Sequence, residues 1–420
     1  MASKTRVLIL GGGFAALETA FLLHMRTHDA CEISLVADDD RFLFRPNTIY
    51  IPFGADPESL YVELAKPLAR RAIAMERGAV ASVDAQQQKV ALQDGRELRY
   101  DHLVIATGAG MSPQEVPGLR EHASTIWTPE TMLELGVRFR ALRDDALDGR
   151  AQRVLFLVPP NNKCAGPLYE IAFMLETWLR REHARDAIQI SYSTYESSYI
   201  QAFGPRLHEV VETEFADRTI DGHTDETVAT VTPDTAVYTD GSKREFDLLV
   251  AFPPYVAAVQ YEGLPSDDRG FLKTDADTRQ VRDHPDVYAP GDAGDFPVKQ
   301  AFLALLQSDA VAEHLAARIT GRRFTSAFDP VSMCVMEMFD KATFAQVPLE
   351  VTGDPAHPVR VRPGADGEYK VGVSPLWRLG KKMLGFYLPM RFGAGEPFHA
   401  GAGWKAMDVG LKGMAGMLAD

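Results

Sequence analysis

Val7-Leu8-Ile9-Leu10-Gly11-Gly12-Gly13-Phe14-Ala15-Ala16 is the stretch on which the fold turns. Its first four residues are wholly apolar, as a strand buried on both faces requires. Gly11, Gly13 and Ala16 then spell GxGxxA at the passage into a helix-like segment, residues 17–25. Gly11 suits a tight turn, Gly13 the close approach of a pyrophosphate, and Ala16 close packing of helix on strand; the helix N-terminus faces the phosphates. A second apolar strand follows over residues 32–37, completing a βαβ unit. Asp38, 22 positions after Ala16, stands where an acceptor meets a ribose hydroxyl. Asp39 and Asp40 stand beside it, so the alternative reading of Asp38 is a solvated loop acid.

Working outward, 420 residues with 46% hydrophobic and 24% charged residues predict two or three globular domains. Lys plus Arg number 44 against 58 Asp plus Glu, a net charge of -14 that opposes nucleic acid as a partner. Cys31, Cys164 and Cys334 are too few and too scattered for a disulfide framework or a zinc site, and no metal is expected. The opening MASKTRVLIL lacks a signal-peptide core and no run of 18 apolar residues occurs, which predicts a cytoplasmic start without a spanning helix.

Asp94-Gly95 marks a hairpin that feeds a buried strand ending in Ala106-Thr107-Gly108. A second α/β pattern runs from a strand near residues 153–158 through a helix at 167–181 to a strand at 187–193, and Asp240-Gly241 repeats the hairpin, a weak internal duplication. The segments YDHLVIATGA and VYAPGDAGD resemble the secondary signatures of the two-dinucleotide-binding-domain flavoproteins, the disulfide reductase-like superfamily. That resemblance implies FAD, with Thr107 and Gly108 at the fold crossing and Asp292, after Gly291, on the ribityl chain. It also implies an α/β fold with two Rossmann-like domains: an FAD-binding domain over 1–110 and 270–322, a second domain over 111–269, and a C-terminal region over 323–420.

Where a second glycine motif would cradle NAD(P)H, this chain reads LVPPNNKCAGPLYE; Pro159 and Pro160 remove two backbone donors. Electrons are therefore expected from something smaller. The runs CAGPLYE (164–170), FLFRP (42–46), FPP (252–254) and CVMEMFDKATF (334–344) resemble the sulfide:quinone oxidoreductase family, relatives of the flavin subunit of flavocytochrome c sulfide dehydrogenase. Read alone, Cys164 just ahead of a helix start is expected to have a lowered pKa, and Cys334 shares a strand face with Met336 and Met338 like a packing thiol. The resemblance implies that both stand beside the flavin, Cys334 as the flavin-side thiol and Cys164 as the sulfur-accepting partner. Many members carry a third redox cysteine, and here Trp127 is near its place. Cys31 reads as packing. Glu170 is a candidate general acid or base, or only a first-turn acid favoured by the dipole. Lys299, with Gln300, stands either at the flavin edge or in solvent.

In LWRLGKKMLGFYL (376–388) Arg378, Lys381 and Lys382 share a narrow arc with Gly385, and apolar residues fill the rest. Such a helix is expected to lie on a membrane surface with its basic face toward anionic lipid, or else to pack on the body or on a second subunit as a homo-oligomer. Trp404, Met407, Leu411, Met414 and Leu418 form another stripe. Phe386, Phe392 and Phe398 are candidate quinone contacts. The leading expectation is a peripheral enzyme on the cytoplasmic side of the membrane that oxidises sulfide and reduces quinone. The alternatives are a type II NADH:quinone dehydrogenase-like enzyme and a non-enzymatic flavin-bearing redox sensor.

Overall fold

The structure is a computed structural model that describes residues 4–324 and 326–419. Thr5–Leu10 forms the central strand of a five-stranded parallel sheet. Cys31–Ala37 and then Ala74–Arg77 lie on one side of it, His102–Ile105 and Val287–Tyr288 on the other. Both faces are covered, which is why Val7 to Leu10 had to be apolar without alternation. The nucleotide helix, Phe14–Thr27, crosses from the first strand to the second and packs on the long helix Ala301–Thr320, where Ser308 Oγ donates to Ala15 O at 3.1 Å.

A second parallel sheet repeats the plan. Its central strand, Gln152–Val158, is flanked by Ile188–Thr194 and Ile220–His223 on one side and by Leu248–Ala251 and Ser124–Thr125 on the other. The thiol helix, Gly166–Arg181, makes the crossover. Both Asp-Gly hairpins form where the sequence put them, Lys89–Leu92 with Glu97–Arg99 and Thr235–Tyr238 with Lys243–Glu245. The α/β class with two Rossmann-like units and C-terminal helices is therefore observed.

The third layer is antiparallel. Val331–Glu337, which carries Cys334, pairs with Ala342–Val351, and Lys370–Ser374 pairs on the other side of that strand. Arg218, buried, staples this hairpin to the second sheet: it reaches Glu176 at 2.8 Å, Glu214 at 3.2 Å and Asp340 at 2.8 Å. With three acidic partners the guanidinium is fully compensated, which a buried charge requires.

The C-terminal helices correct one expectation. Pro375–Gly393 starts on Ser374, whose side chain accepts from Leu376 N, and buries Trp377 against Phe344 with ring centroids 4.2 Å apart. Its basic arc turns inward rather than toward lipid: Arg378 Nε donates to Glu337 at 2.7 Å, Lys381 Nζ pairs with Glu170, and only Lys382 of the three faces solvent. Two buried carboxylates contributed by other elements claim those cations, because an unpaired carboxylate there would be costly. What faces outward is apolar: Leu376, Leu379, Met383, Phe386 and Met390, at i, i+3, i+4 spacing. In Gly401–Leu418 the Trp404–Leu418 stripe packs on the body, Trp404 and Met407 against the first core and Met414 and Leu418 around Phe344 and Trp377. Among the described residues no helix is long and apolar enough to cross a membrane.

Candidate functional site: a shared cavity between glycine cradle and thiols

Gly11 leaves the first strand with φ +119°, and a Cβ there would lie 2.3 Å from Ala106 O. Only glycine lets the nucleotide loop pass the neighbouring strand end so closely. Gly13, by contrast, has open space where its Cβ would be, on the cavity side. Ala16 stands behind the loop, fully buried, and Gly291, with φ +71°, closes on Ala15 at 2.9 Å from its would-be Cβ. These two shape the cradle without lining it.

The cavity has a volume of about 950 Å³, at the upper end for small-molecule sites. One end is walled by Gly11, Gly13 and Asp38, with Thr107, Gly108 and Asp292 further along. Asp39 also reaches the rim, but its carboxylate accepts from Arg41 N at 3.0 Å. The donors and hydroxyl acceptors therefore suit an extended dinucleotide, whose pyrophosphate fits the glycine loop at the helix start.

Asp292 is half-buried on the cavity wall; removal from water raises its pKa, and the nearby Lys299 and Arg45 cations oppose the rise. Lys299 does not face solvent. Its ammonium donates to Gly294 O and sits 3.9 Å above the Phe271 ring, and burial lowers its pKa to about 8. Gln300 caps the following helix and ties Ser332 and Met333 O of the cysteine strand to it. Sequence reasoning missed Arg45 as a site residue, although it quoted FLFRP. Arg45 donates to Trp127 O at 3.0 Å, stacks 4.4 Å over the Trp127 ring and lines the same cavity.

Cys164 and Cys334 line the other part of the same cavity, and both thiols are free. Cys164 is fixed by a buried asparagine. Asn162 Oδ1 accepts from Cys164 N at 2.9 Å, and Nδ2 donates to Phe252 O and Pro253 O at 3.0 and 3.2 Å. The NNKC loop is thus stapled to the FPP run. The expectation of a lowered Cys164 pKa is corrected: the Gly166 N–H does act in that direction, but burial and the neighbouring Cys334 push the thiol up. Burial likewise raises Cys334 to about 12, with Glu170 adding to the rise and Lys381 opposing it. Cys31 lies apart, buried in the first core, where Thr27 Oγ1 is 3.3 Å from its sulfur.

Glu170 is neither a solvated first-turn acid nor isolated. It accepts from Lys381 Nζ and from Glu337 N at 3.1 Å, and Lys381 also donates to Val335 O at 2.9 Å. Burial raises Glu170 against that pairing. The three phenylalanines do not converge: Phe386 is 71% exposed on the outer stripe, Phe392 is buried against Phe21 and Phe42, and Phe398 alone lines the cavity. Their spacing along the chain places one on each of three surfaces, so at most Phe398 contacts a ligand there.

Two parallel sheets with a shared cavity define the class of fold, α/β with two Rossmann-like units. In agreement, residues 5–137 match the family model for pyridine nucleotide-disulphide oxidoreductases. The particular resemblance is to sulfide:quinone oxidoreductases. The sulfide-quinone reductase of Aquifex aeolicus is 29% identical over 262 residues, 60% of this chain and 58% of that protein. The mitochondrial sulfide:quinone oxidoreductase of Mus musculus is 22% identical over 342 residues, 78% of this chain and 74% of its length. The crystal structure of the Aquifex aeolicus sulfide:quinone oxidoreductase superposes with a TM-score of 0.85 at 21% identity, over 97% of this chain and 96% of that one. The resemblance expected from the sequence runs therefore holds in sequence and in fold, while the chain spans 58% of the length of the Aquifex relative it matches in sequence.

Proposed function

We propose that this chain is an FAD-dependent oxidoreductase that oxidises sulfide through Cys164 and Cys334 and reduces a membrane quinone. One observation carries the reading: the glycine cradle and both thiols open into a single cavity. Gly11, Gly13, Asp38, Thr107, Gly108 and Asp292 are the residues that would hold FAD, with Lys299 beside them. FAD, when bound, supplies a two-electron carrier between donor and acceptor.

The chain's own residues set the sulfur chemistry. Two thiols closing to a disulfide give up two electrons and two protons, which is what one quinone takes up on becoming quinol. Hydrosulfide then opens that disulfide, leaving a persulfide on one cysteine and a thiolate on the other. Burial keeps the resting thiols neutral, and Lys381 is the cation that favours the Cys334 thiolate. The proline-bearing NNKC loop, fastened by Asn162, offers no cradle for a second dinucleotide, which supports a small donor over NADH. The outward stripe Leu376, Leu379, Met383, Phe386 and Met390 supports docking on a bilayer where quinone is dissolved, from the cytoplasmic side.

The deciding experiment is anaerobic flavin absorbance after adding sulfide in one cuvette and NADH in another. Bleaching by sulfide alone is expected. Bleaching by NADH alone would overturn the reading, and no bleaching by either donor would favour a sensor.

A further inference from the structure

Outside the thiol site, one cluster of titratable groups is unexplained by the proposed chemistry. Glu18, on the nucleotide helix, is completely buried, and its carboxylate reaches the loop between the two C-terminal helices: Oε2 accepts from Phe398 N at 2.6 Å and Oε1 from His399 N at 3.1 Å. Asp309, on the long helix, meets His399 Nδ1 at 2.5 Å. The three groups offer side-chain atoms all within 4.8 Å of one another. Asp309 Oδ1 and His399 Nε2 are buried without partners, and the His399 side chain is only 9% exposed.

The cluster sits directly behind the cavity. The His399 ring packs on Phe398 at 4.7 Å and on Phe302 at 5.4 Å between centroids, and both of those rings line the cavity. Trp404 closes the far side at 4.7 Å. Moving His399 therefore moves two wall rings at once.

The surrounding charges do not neutralise the two carboxyls. Arg26 is the cation nearest Asp309, but it is committed to Glu313 at 2.5 Å; Asp408, which faces His399, is committed to Lys412 at 2.7 Å. Glu313 is itself a further negative charge toward Asp309, and Arg391 beside Tyr387 is held by Glu396. With His399 kept neutral by burial, a proton has to stand in for the missing cation.

We propose that Glu18, Asp309 and His399 form a proton-sharing clasp that holds the Phe302 and Phe398 rings in place, and that Glu18 is a positioning residue for quinone at that wall. The proposal rests on the quinone reading above. Burial raises both carboxyls to about 8, Asp309's charge adding to the rise at Glu18 and Glu313's to that at Asp309. When the shared proton leaves, the buried Glu18 carboxylate and the half-buried Asp309 carboxylate repel, Asp309 turns toward water and His399 is released. Asparagine at position 309 would accept from His399 through its oxygen and donate to Glu18 through its nitrogen, reproducing the neutral acid with no proton to lose.

The test compares wild type, Asp309→Asn, Glu18→Ala and Glu18→Gln as FAD-loaded enzymes, with a short-chain ubiquinone as acceptor. The wild-type to Asp309→Asn ratio of quinone KM is expected near one at pH 6.5 and to rise about tenfold by pH 9.5, with the rate of flavin bleaching by sulfide common to both. Glu18→Ala should raise KM at every pH and Glu18→Gln, which keeps one acceptor oxygen, should recover part of it. A KM ratio that stays flat with pH, or a Glu18→Ala enzyme with wild-type KM, overturns the clasp. Amide hydrogen exchange at Phe398 and His399 gives a readout free of turnover. Protection should fall with pH in wild type, persist in Asp309→Asn and be absent in Glu18→Ala, and equal courses in the first two would sink the proposal. If sulfide does not bleach the flavin, the redox reading fails while the exchange data still decide the clasp.

Discussion

The two parallel sheets follow the same path of central strand, loop and crossover helix, and they differ where the strand ends. After Leu10 the chain takes a glycine turn that only Gly11 can make, its N–H donating to Val36 O at 2.7 Å, and the loop opens onto the cavity. After Val158 it takes two prolines, an Asn162 staple and a cysteine, and Asn162 fastens the loop to Cys164 N and to the carbonyls of Phe252 and Pro253. One scaffold position thus carries a glycine turn open to the cavity in the first unit and a fastened thiol loop in the second.

The largest expected effect comes from breaking the first loop. Gly11→Ala places a Cβ 2.3 Å from Ala106 O at a φ of +119°, so the turn must shift. The purified variant should be colourless at limiting FAD, as absorbance per chain would measure, so that every flavin-dependent step is lost. Next in size is the second loop. Cys164→Ser and Cys334→Ser should each retain the yellow cofactor yet lower sulfide-driven bleaching by roughly 1000-fold, because a serine hydroxyl neither forms the disulfide nor accepts sulfur. Wild-type rates in both would remove the thiols from the mechanism and leave the fold untouched.

A third way to sharpen the contrast is the ion pair that clamps the thiol wall. Lys381→Met leaves Glu170 buried without its cation and should cost about 3 kcal/mol in chemical denaturation, whereas Lys381→Met with Glu170→Gln should recover most of it. This pair also shows what the sequence withheld. The glycine loop, the hairpins and the strand–helix–strand pattern were legible because they depend on residues close in sequence. The basic arc of the C-terminal helix was legible as a pattern, but its direction was not. Glu170 and Glu337, which turn Arg378 and Lys381 inward, arrive from a helix and a strand far away in the chain. Apolar residues were left outside as a result, so a face read as polar-outward is polar-inward. The Glu18 cluster was invisible for the same reason, since its three members come from three separate elements.

The same distinction between local and long-range forces governs thiol acidity. Position ahead of a helix argued for a low Cys164 pKa, and burial by residues from all three layers overrides it. Burial pushes the Cys334 thiol up to about 12, so its loss of the proton is postponed to alkaline pH. Alkylation by iodoacetamide, followed by peptide mass spectrometry, should therefore keep accelerating well above pH 9 at this residue, where an unperturbed thiol levels off. A plateau near pH 8 would mean that Lys381 outweighs burial.

The smallest effect is the most discriminating about the loops themselves. Gly166 opens the thiol helix as Gly13 opens the nucleotide helix, and like Gly13 it has nothing within 4 Å of its would-be Cβ. If the second loop were a cradle, a side chain at Gly166 would obstruct a phosphate as it would at Gly13. Because that loop instead presents a sulfur atom, Gly166→Ala should change stability by about 0.5 kcal/mol or less and leave flavin content and sulfide-driven bleaching within about twofold of wild type. Gly13→Ala, equally free of protein clashes, should weaken FAD binding about tenfold or more, because the space it fills belongs to the pyrophosphate. Two glycines alike in their protein surroundings and unlike in what a methyl group costs would locate the dinucleotide in the first loop. Equal tolerance at both would show that the cradle does not use Gly13 at all.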